Sequence, residues 1–227
     1  MHAFCDFDGT IAVVDVTDLV LERFASEEWH RLEKDWEAGR ITAAECMRAQ
    51  IPLIDATLQD LNAFLDTVEI DPDFPAFAEF CRSHSIGITV VSDGVDHFIR
   101  RILARHGLTD IAINANRLSS SVSNQQFSYR LDAPFASAGC ASGAGVCKCN
   151  IVQTSAQHIY VGDGRSDFCV SRQASLVFAK SKLAVHCAQQ AIPFIPYEGF
   201  SDVQCAVASL LTDMSSRAND ARLARTA

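Results

Sequence analysis

At 227 residues, with 48% hydrophobic and 21% charged residues, the chain has the make-up of a soluble globular protein able to bury a full core. A net charge of −9 argues against a nucleic-acid partner, since phosphate backbones are gripped by basic patches, and no apolar run reaches the length of a membrane span. The first polar motif begins at residue 6, which leaves no room for an export signal ahead of it, so the nine cysteines are expected as reduced thiols in a cytoplasm.

A few apolar residues lead into Cys5-Asp6-Phe7-Asp8-Gly9-Thr10. Two carboxylates at i and i+2 on a strand project to the same side, so Asp6 and Asp8 can crowd one small volume while Gly9 turns the backbone away. Crowded carboxylates repel unless a cation or a shared proton compensates. Taken alone, the stretch reads equally as a solvated turn after an edge strand. Residues 11–14 continue apolar, and then Val16, Leu19, Val20 and Phe24 mark one face of a helix. Ser26 before Glu27 and Glu28 reads as an N-cap with first-turn acids, and the stripe Trp29, Leu32, Trp36 ends at Gly39. Thr42 with Glu45 and Thr57 with Asp60 have the spacing of capping boxes. The stretch 16–70 is therefore expected as four short helices without a strand, a small bundle inserted after the first strand. Its aromatic stripe could line a pocket, but core packing is the reading adopted.

Pro72 and Pro75 mark a boundary. Beyond them a helix over 77–84 leads into an apolar run at 86–91, typical of a buried parallel strand. Ser92-Asp93-Gly94 follows at once, then a helix carrying Val95, Phe98, Ile99, Ile102 and Leu103 that Gly107 closes. Strand, polar turn and helix form the βα unit of a parallel sheet, whose ligands sit at the strand's carboxyl end. Residues 111–114 predict another strand, and Val122 with the alternation Phe127, Tyr129, Leu131 predicts a hairpin around Asn124. The Ala/Ser/Gly-rich stretch 132–147 is expected as a mobile loop, with Lys148 at its end opening a helix that carries Ile151 and Val152. A strand at 158–161 then precedes Gly162-Asp163-Gly164-Arg165-Ser166-Asp167. Asp163 falls in the strand-to-helix turn, and Asp167 one turn into the helix, able to face the same place. A strand at 176–179, a helix at 183–190, a short strand at 194–195 and a helix at 203–211 complete the pattern. The tail after Thr212 is expected to fray. The division that follows is an α/β doubly wound core (1–14 and 75–213), a helical cap (15–74) and a flexible tail (214–227).

Asp6 with Asp8, Ser92, Lys148, and Asp163 with Asp167 each sit just beyond a strand or at a helix start, places that converge on one crevice in a doubly wound sheet. Four carboxylates, a lysine and a serine suit a hard cation such as Mg²⁺ with a phosphate beside it, and none of these motifs holds His or Cys at ligand spacing. Cys140, Cys147 and Cys149 match no standard zinc spacing and are read as free thiols. Asp15 and Asp18 read equally as cap contacts to a substrate or as solvated first-turn residues. Arg165 could touch a substrate's tail or form a rim salt bridge. Asp93 receives no catalytic role, and His97 and His106 are read as structural.

This order of motifs, DFDGT, SDG, a lone lysine and GDGRSD, resembles the haloacid-dehalogenase superfamily of phosphatases over essentially the whole chain. The resemblance implies roles position by position. Asp6 would be the nucleophile and Asp8 the general acid and base. Asp6, the Asp8 main-chain carbonyl and Asp163 would hold Mg²⁺, with Asp167 ligating or supporting it. Ser92 and Lys148, with main-chain N–H groups near Phe7 and Gly94, would bind the phosphoryl oxygens. An insert between the first two motifs resembles the subclass with a small helical cap, which excludes water and selects the substrate. Phosphoserine phosphatases of that subclass carry a glutamate and a substrate arginine at positions that fall here on Asp15 and Gln50, so that amino-acid-binding pair is absent. Glu28-Trp29, the cysteine-bearing loop before Lys148 and Ile195-Pro196-Tyr197 are similar to the 2-hydroxy-3-keto-5-methylthiopentenyl-1-phosphate phosphatases, while SDG and GDGRSDFC look closer to the phosphoethanolamine/phosphocholine phosphatases. The expected partner is a small phosphomonoester, with no nucleic acid and no membrane, and a homodimer remains open. Transfer to an alcohol acceptor and a non-catalytic module binding a phosphometabolite are the rival functions.

Overall fold

The computed structural model describes all residues except 124, 125, 141, 154, 156 and 227, and at 126, 214, 215 and 217–226 it describes the backbone alone. The first strand, β1 (His2–Cys5), lies at the middle of a seven-stranded sheet, paired in parallel with β2 (Gly87–Val95) on one side and β5 (His158–Gly162) on the other. Beyond β2 come β3 (Ala112–Ser123) and β4 (Gln126–Asp132), and beyond β5 come β6 (Leu176–Ala179) and β7 (Ile195–Pro196). All pairings are parallel except β3 with β4. The chain thus winds outward from β1 in both directions. A crevice is left where the directions part, at the carboxyl ends of β1, β2 and β5.

Burial on both faces explains why the central strands read as continuous apolar runs: Ala3, Cys5, Val90, Val91, Ile159, Tyr160 and Val161 are all sealed from solvent. One face is covered by α5 (Phe74–Ser83), α6 (Asp96–Arg105) and α9 (Phe200–Thr226). Phe200 packs there on Phe74 and Phe77 at centroid distances of 4.7 and 5.2 Å. On the other, α7 (Lys148–Val152) packs Cys149 and Val152 against Phe4, Val91 and Tyr160. Leu183 and Cys187 of α8 (Ser181–Gln189) pack on Val177 and Ala179 of β6.

Between β1 and β2 stand α1 (Val16–Phe24), α2 (Glu28–Glu37), α3 (Ala43–Gln50) and α4 (Leu58–Leu65), the bundle expected from the 3.6-residue patterning. Thr42 and Glu45 form the full capping box, and Thr57 Oγ1 accepts the Asp60 N–H. Ser26 does not cap α2: its carbonyl only receives the Trp29 N–H, and Glu27 holds the cap position without a side-chain bond. Leu19 is 36% exposed, and Leu21 takes its place on the buried face.

Other expectations are corrected. After β5 the chain makes short 3₁₀ turns at Arg165–Asp167 and Val170–Arg172 instead of a helix. The hairpin arms are longer than their apolar alternation shows, pairing from Arg117↔Asp132 to Ser123↔Gln126, because the polar residues Ser119, Ser121 and Ser128 are strand residues too. Its turn around Asn124 lies outside the described residues. The stretch expected to be a mobile loop is held at several points. Cys147 N–H donates to the Phe135 carbonyl (2.8 Å), Val146 N–H to the Asp93 carboxylate (2.8 Å) and Ala44 N–H of α3 to the Gly143 carbonyl (3.1 Å). The last helix continues past Leu211 to Thr226, where a frayed tail was expected. No helix among the described residues is long and apolar enough to cross a membrane.

Candidate active site

Asp6 leaves the end of β1 with its carboxylate nearly buried. Oδ1 accepts the Phe7 N–H at 2.7 Å and Oδ2 faces Lys148 Nζ at 2.8 Å. A wide turn over Phe7–Ile11 follows, with Asp8 and Gly9 off helical geometry. Gly9 adopts φ +70°, and a Cβ there would stand 2.7 Å from Asp163 Oδ2, so the turn needs glycine on both counts. Asp8 Oδ1 accepts the Val16 N–H at the start of α1 (2.9 Å), and its Oδ2 meets the Ser92 hydroxyl (3.4 Å). Ser92 Oγ in turn accepts the Gly94 N–H at 2.9 Å, so the main-chain donor expected to meet a ligand at Gly94 is engaged by Ser92. A Cβ on Gly94 would lie 2.5 Å from Asp8 Oδ2. That position is where the β2 turn and the β1 turn touch.

Lys148, 1% exposed, is a fully buried cation, and its surroundings explain how that is tolerated. Nζ lies 2.7 Å from Asp167 Oδ1 and 2.8 Å from Asp6, and donates to Ser166 Oγ at 2.9 Å. Asp167 is saturated: Oδ1 also takes the Tyr160 hydroxyl at 2.5 Å, and Oδ2 takes the Asp163 and Gly164 N–H groups at 3.0 Å each. Asp163 Oδ1 accepts the Thr10 hydroxyl at 3.1 Å. One oxygen from each of Asp6, Asp163 and Asp167 lies within 4.8 Å of the other two, a separation one small cation can span.

The electrostatics follow from burial and pairing. Desolvation, then the neighbouring Asp167 carboxylate, push the Asp6 pKa well above the usual carboxylate range against the pull of Lys148. Desolvation and Asp15 do the same to Asp8, and desolvation and Asp167 raise the Asp163 pKa above its usual value. Burial also works against charge on Asp167, but Lys148, Tyr160 and the Gly164 N–H outweigh it and hold its pKa below the usual value. Lys148 is likewise penalised by burial, yet Asp167, Asp6 and Asp93 hold its pKa above the ordinary lysine value. The converging oxygens of Asp6, Asp163 and Asp167 make a wholly oxygen donor set that suits a hard divalent cation.

The structure brings together Asp6, Asp8, Ser92, Gly94, Lys148, Asp163 and Asp167, as the motif spacing predicts. Tyr160, Thr10 and Ser166 also belong to the polar network and were missed. Tyr160 sits in a run that reads as plain buried strand, and the one signal available was a phenol hydroxyl in a strand needing a partner. Asp93 anchors the loop ahead of Lys148 through Val146. Arg165 stands with its guanidinium 5.9 Å from the Trp36 ring centroid, a contact between the fourth motif and α2, and not in a rim ion pair among the described residues. His97 bonds Asn62 Oδ1 at 2.7 Å, a structural role as expected.

Known proteins agree with this layout. Residues 2–191 match the family described as Putative Phosphatase. A 2-hydroxy-3-keto-5-methylthiopentenyl-1-phosphate phosphatase of Geobacillus thermodenitrificans is 31% identical over 210 residues, covering 88% of this chain and 92% of that protein. One from Bacillus cereus (strain B4264) is 28% identical over 220 residues, covering 93% and 97%. In fold, the chain resembles a phosphoserine phosphatase solved as a phospho-aspartyl intermediate analogue, with a TM-score of 0.64 at 18% identity over 87% of this chain and 93% of that one. Motif order, fold and sequence matches agree, and the chain belongs to this phosphatase family, as a phosphoric monoester hydrolase.

Proposed function

We propose that the chain hydrolyses a small phosphomonoester through an aspartyl phosphate on Asp6. The observation that carries this reading is the seating of Asp6. Its carboxylate is gripped by the Phe7 N–H and Lys148 at the carboxyl end of the central strand, with the second carboxylate, Asp8, two residues on. An Asp6 oxygen attacks phosphorus as the ester oxygen departs, and Asp8 gives that oxygen its proton. Asp8 then takes a proton from water, whose oxygen attacks phosphorus and returns Asp6 as a free carboxylate. The raised pKa of Asp8 favours the protonated form that the first half needs. Lys148 and the Ser92 hydroxyl orient the phosphoryl oxygens, and Gly94 supplies a further N–H if Ser92 turns towards the ligand.

Asp6, Asp163 and the Asp8 main-chain carbonyl would hold Mg²⁺, which would neutralise charge on the phosphoryl group. Asp167 already accepts five hydrogen bonds, so its part is to fix Lys148 and the Asp163 turn. The helices α1–α4 form a lid that excludes water during transfer. The substrate favoured is 2-hydroxy-3-keto-5-methylthiopentenyl-1-phosphate, supported by the names of the curated relatives. Gln50 weighs against phosphoserine: it is buried and donates to Glu33 and to the Trp29 carbonyl, so no cation waits there for an amino acid's carboxylate. The enzyme is read as acting in a cytoplasm on this small ester.

Phosphate release across a panel of esters tests the reading: a methylthio-ketopentyl phosphate, phosphoserine, phosphoethanolamine and phosphocholine, with Mg²⁺ or EDTA, for wild type and Asp6→Asn. Mg²⁺-dependent release that Asp6→Asn abolishes is expected, strongest with the first ester. Transfer to added alcohols in place of water would make the protein a phosphotransferase. Binding without release would make it a phosphometabolite-binding module.

A further inference from the structure

Of the nine cysteines, four fall between residues 140 and 169, and three of them converge. One sulfur each from Cys140, Cys149 and Cys169 lies within 4.8 Å of the other two. Cys147, buried at the N-cap of α7, stands two residues before Cys149. Cys140 Sγ also stands 3.0 Å from Ser142 Oγ. The residues come from three pieces of chain: the loop after β4, the start of α7, and the turn that follows Asp167. None is in a disulfide. By contrast Cys5, Cys81 and Cys187 are packed among core hydrophobics.

Thiols are weak hydrogen-bond donors, so a convergence of this kind adds little as a thiol network. It adds a great deal as a ligand set. A zinc–sulfur bond of about 2.3 Å in tetrahedral geometry places ligand sulfurs roughly 3.8 Å apart, inside the 4.8 Å bound that the three sulfurs meet. The surroundings also suit a structural ion. The loop carrying Cys140 has little regular structure and α7 is only five residues long, so an ion would add a further tie to backbone contacts already present. A single ion fits three sulfurs this close together better than an iron–sulfur cluster, whose ligands are divided among several irons. Soft thiolates select zinc over the hard cation suited to the carboxylates of the crevice.

We infer that Cys140, Cys149 and Cys169, with Cys147 as the fourth ligand, form a structural zinc site that ties the Lys148 turn to the Asp163–Asp167 turn. Cys147 and Cys149 flank Lys148, and Cys169 lies two residues beyond Asp167. Closing the tetrahedron deprotonates the thiols and fixes the two turns that carry the Lys148–Asp167 pair. The zinc braces that pair from outside the crevice without entering the reaction.

The test is metal content by mass spectrometry of the full chain, purified without chelator and without added metal. About one zinc per chain is expected, lost in Cys149→Ser and Cys169→Ser and retained in Cys205→Ser and Asp6→Asn. Because a serine variant can fail to fold, cobalt(II) exchange into the wild type gives a second readout. A thiolate-to-cobalt charge-transfer band with intense tetrahedral visible bands supports the site. Stripping zinc, with Mg²⁺ restored, should lower the melting temperature and slow phosphate release about tenfold. Wild type that takes up neither zinc nor cobalt would overturn the inference. So would stoichiometric iron in place of zinc, a disulfide among these cysteines in protein kept reduced, or zinc that survives both serine variants.

Discussion

The crevice and the helical bundle are held by different kinds of polar contact. In the crevice, Lys148, Asp6 and Asp167 are almost wholly buried, and every oxygen of Asp167 is spoken for. Between bundle and core, the bidentate pair Arg101–Asp66 has side chains 44% and 37% exposed, and further contacts include His97 with Asn62, Arg165 over Trp36, the Tyr129 hydroxyl on the Ala56 carbonyl and the Ala44 N–H on the Gly143 carbonyl. Exposed pairs contribute about 0.2–1 kcal/mol each, whereas breaking a buried ion pair costs about 3–5 kcal/mol. The chemistry is therefore fixed by contacts that are hard to break. The bundle's polar contacts to the core are individually weak, beside the apolar cluster that Leu61, Leu65 and Ile51 share with Phe98 and Tyr129.

The sharpest way to break this contrast is inside the crevice. Asp6→Asn should lower single-turnover phosphate release by about 10⁴-fold or more, since no other group can carry the phosphoryl. A residual rate within tenfold of wild type would remove Asp6 from the reaction. Asp8→Asn is expected to cost about 10²–10⁴-fold with an alkyl ester and much less with a nitrophenyl ester, whose leaving group needs no proton. Equal losses on both esters would contradict the general-acid role. Lys148→Met should slow release about 10²–10³-fold and, by leaving Asp6 and Asp167 unpaired, destabilise the fold by about 3–5 kcal/mol in urea. A variant as stable as wild type would mean that the buried pair is not what holds the two turns.

Metal-free stability against pH is a gentler probe. Asp6, Asp8 and Asp163 have raised pKa values in the fold, so the native state binds protons more tightly than the unfolded chain. Stability without Mg²⁺ should rise as pH falls from neutrality towards about 4, the ordinary carboxylate value, and saturating Mg²⁺ should flatten that slope. Asp167 acts in the opposite sense: its stabilisation is present above its unfolded value and lost as pH falls through its lower native one. Melting curves across this range with and without Mg²⁺ decide it, and coincident curves would argue against a cation among these carboxylates. The smallest effect belongs to the cover. Trp36→Ala removes the ring beneath Arg165, a contact of about 0.5–1 kcal/mol, and should raise KM a few-fold with kcat nearly unchanged. A collapse in kcat would show that α2 helps to build the reaction centre.

Features governed by local physics could be read directly from the chain. The spacing of Thr42 and Glu45 specifies its own hydrogen bonds, and the buried strands announce themselves because both faces are covered. Asp6 and Asp163 were legible because each follows such a strand, and Ser92 because it ends the apolar run within β2, which continues to Val95 where a polar turn was expected; sheet topology gathers strand ends. Tyr160 was hidden by position, since a tyrosine in an apolar run looks like core until its hydroxyl is seen on Asp167. Cys169 was hidden by distance: its sulfur joins Cys140 only through the tertiary fold, which no spacing rule encodes. The 3₁₀ turn at Arg165–Asp167 escaped because two N–H groups bonding Asp167 Oδ2 tighten the backbone more than helical periodicity would.

The two margins of the sheet carry a consequence for how the protein behaves in a crowded solution. At one end, β7 is two residues long and includes Pro196, which has no N–H to offer a newcomer. At the other, β4 turns Tyr129 and Leu131 inward and shows Ser128, Arg130 and Asp132 outward. A stray strand approaching either margin meets a blunt stub or a charged, polar rail, never a long flat apolar ladder. The sheet is guarded against growing strand by strand into fibres.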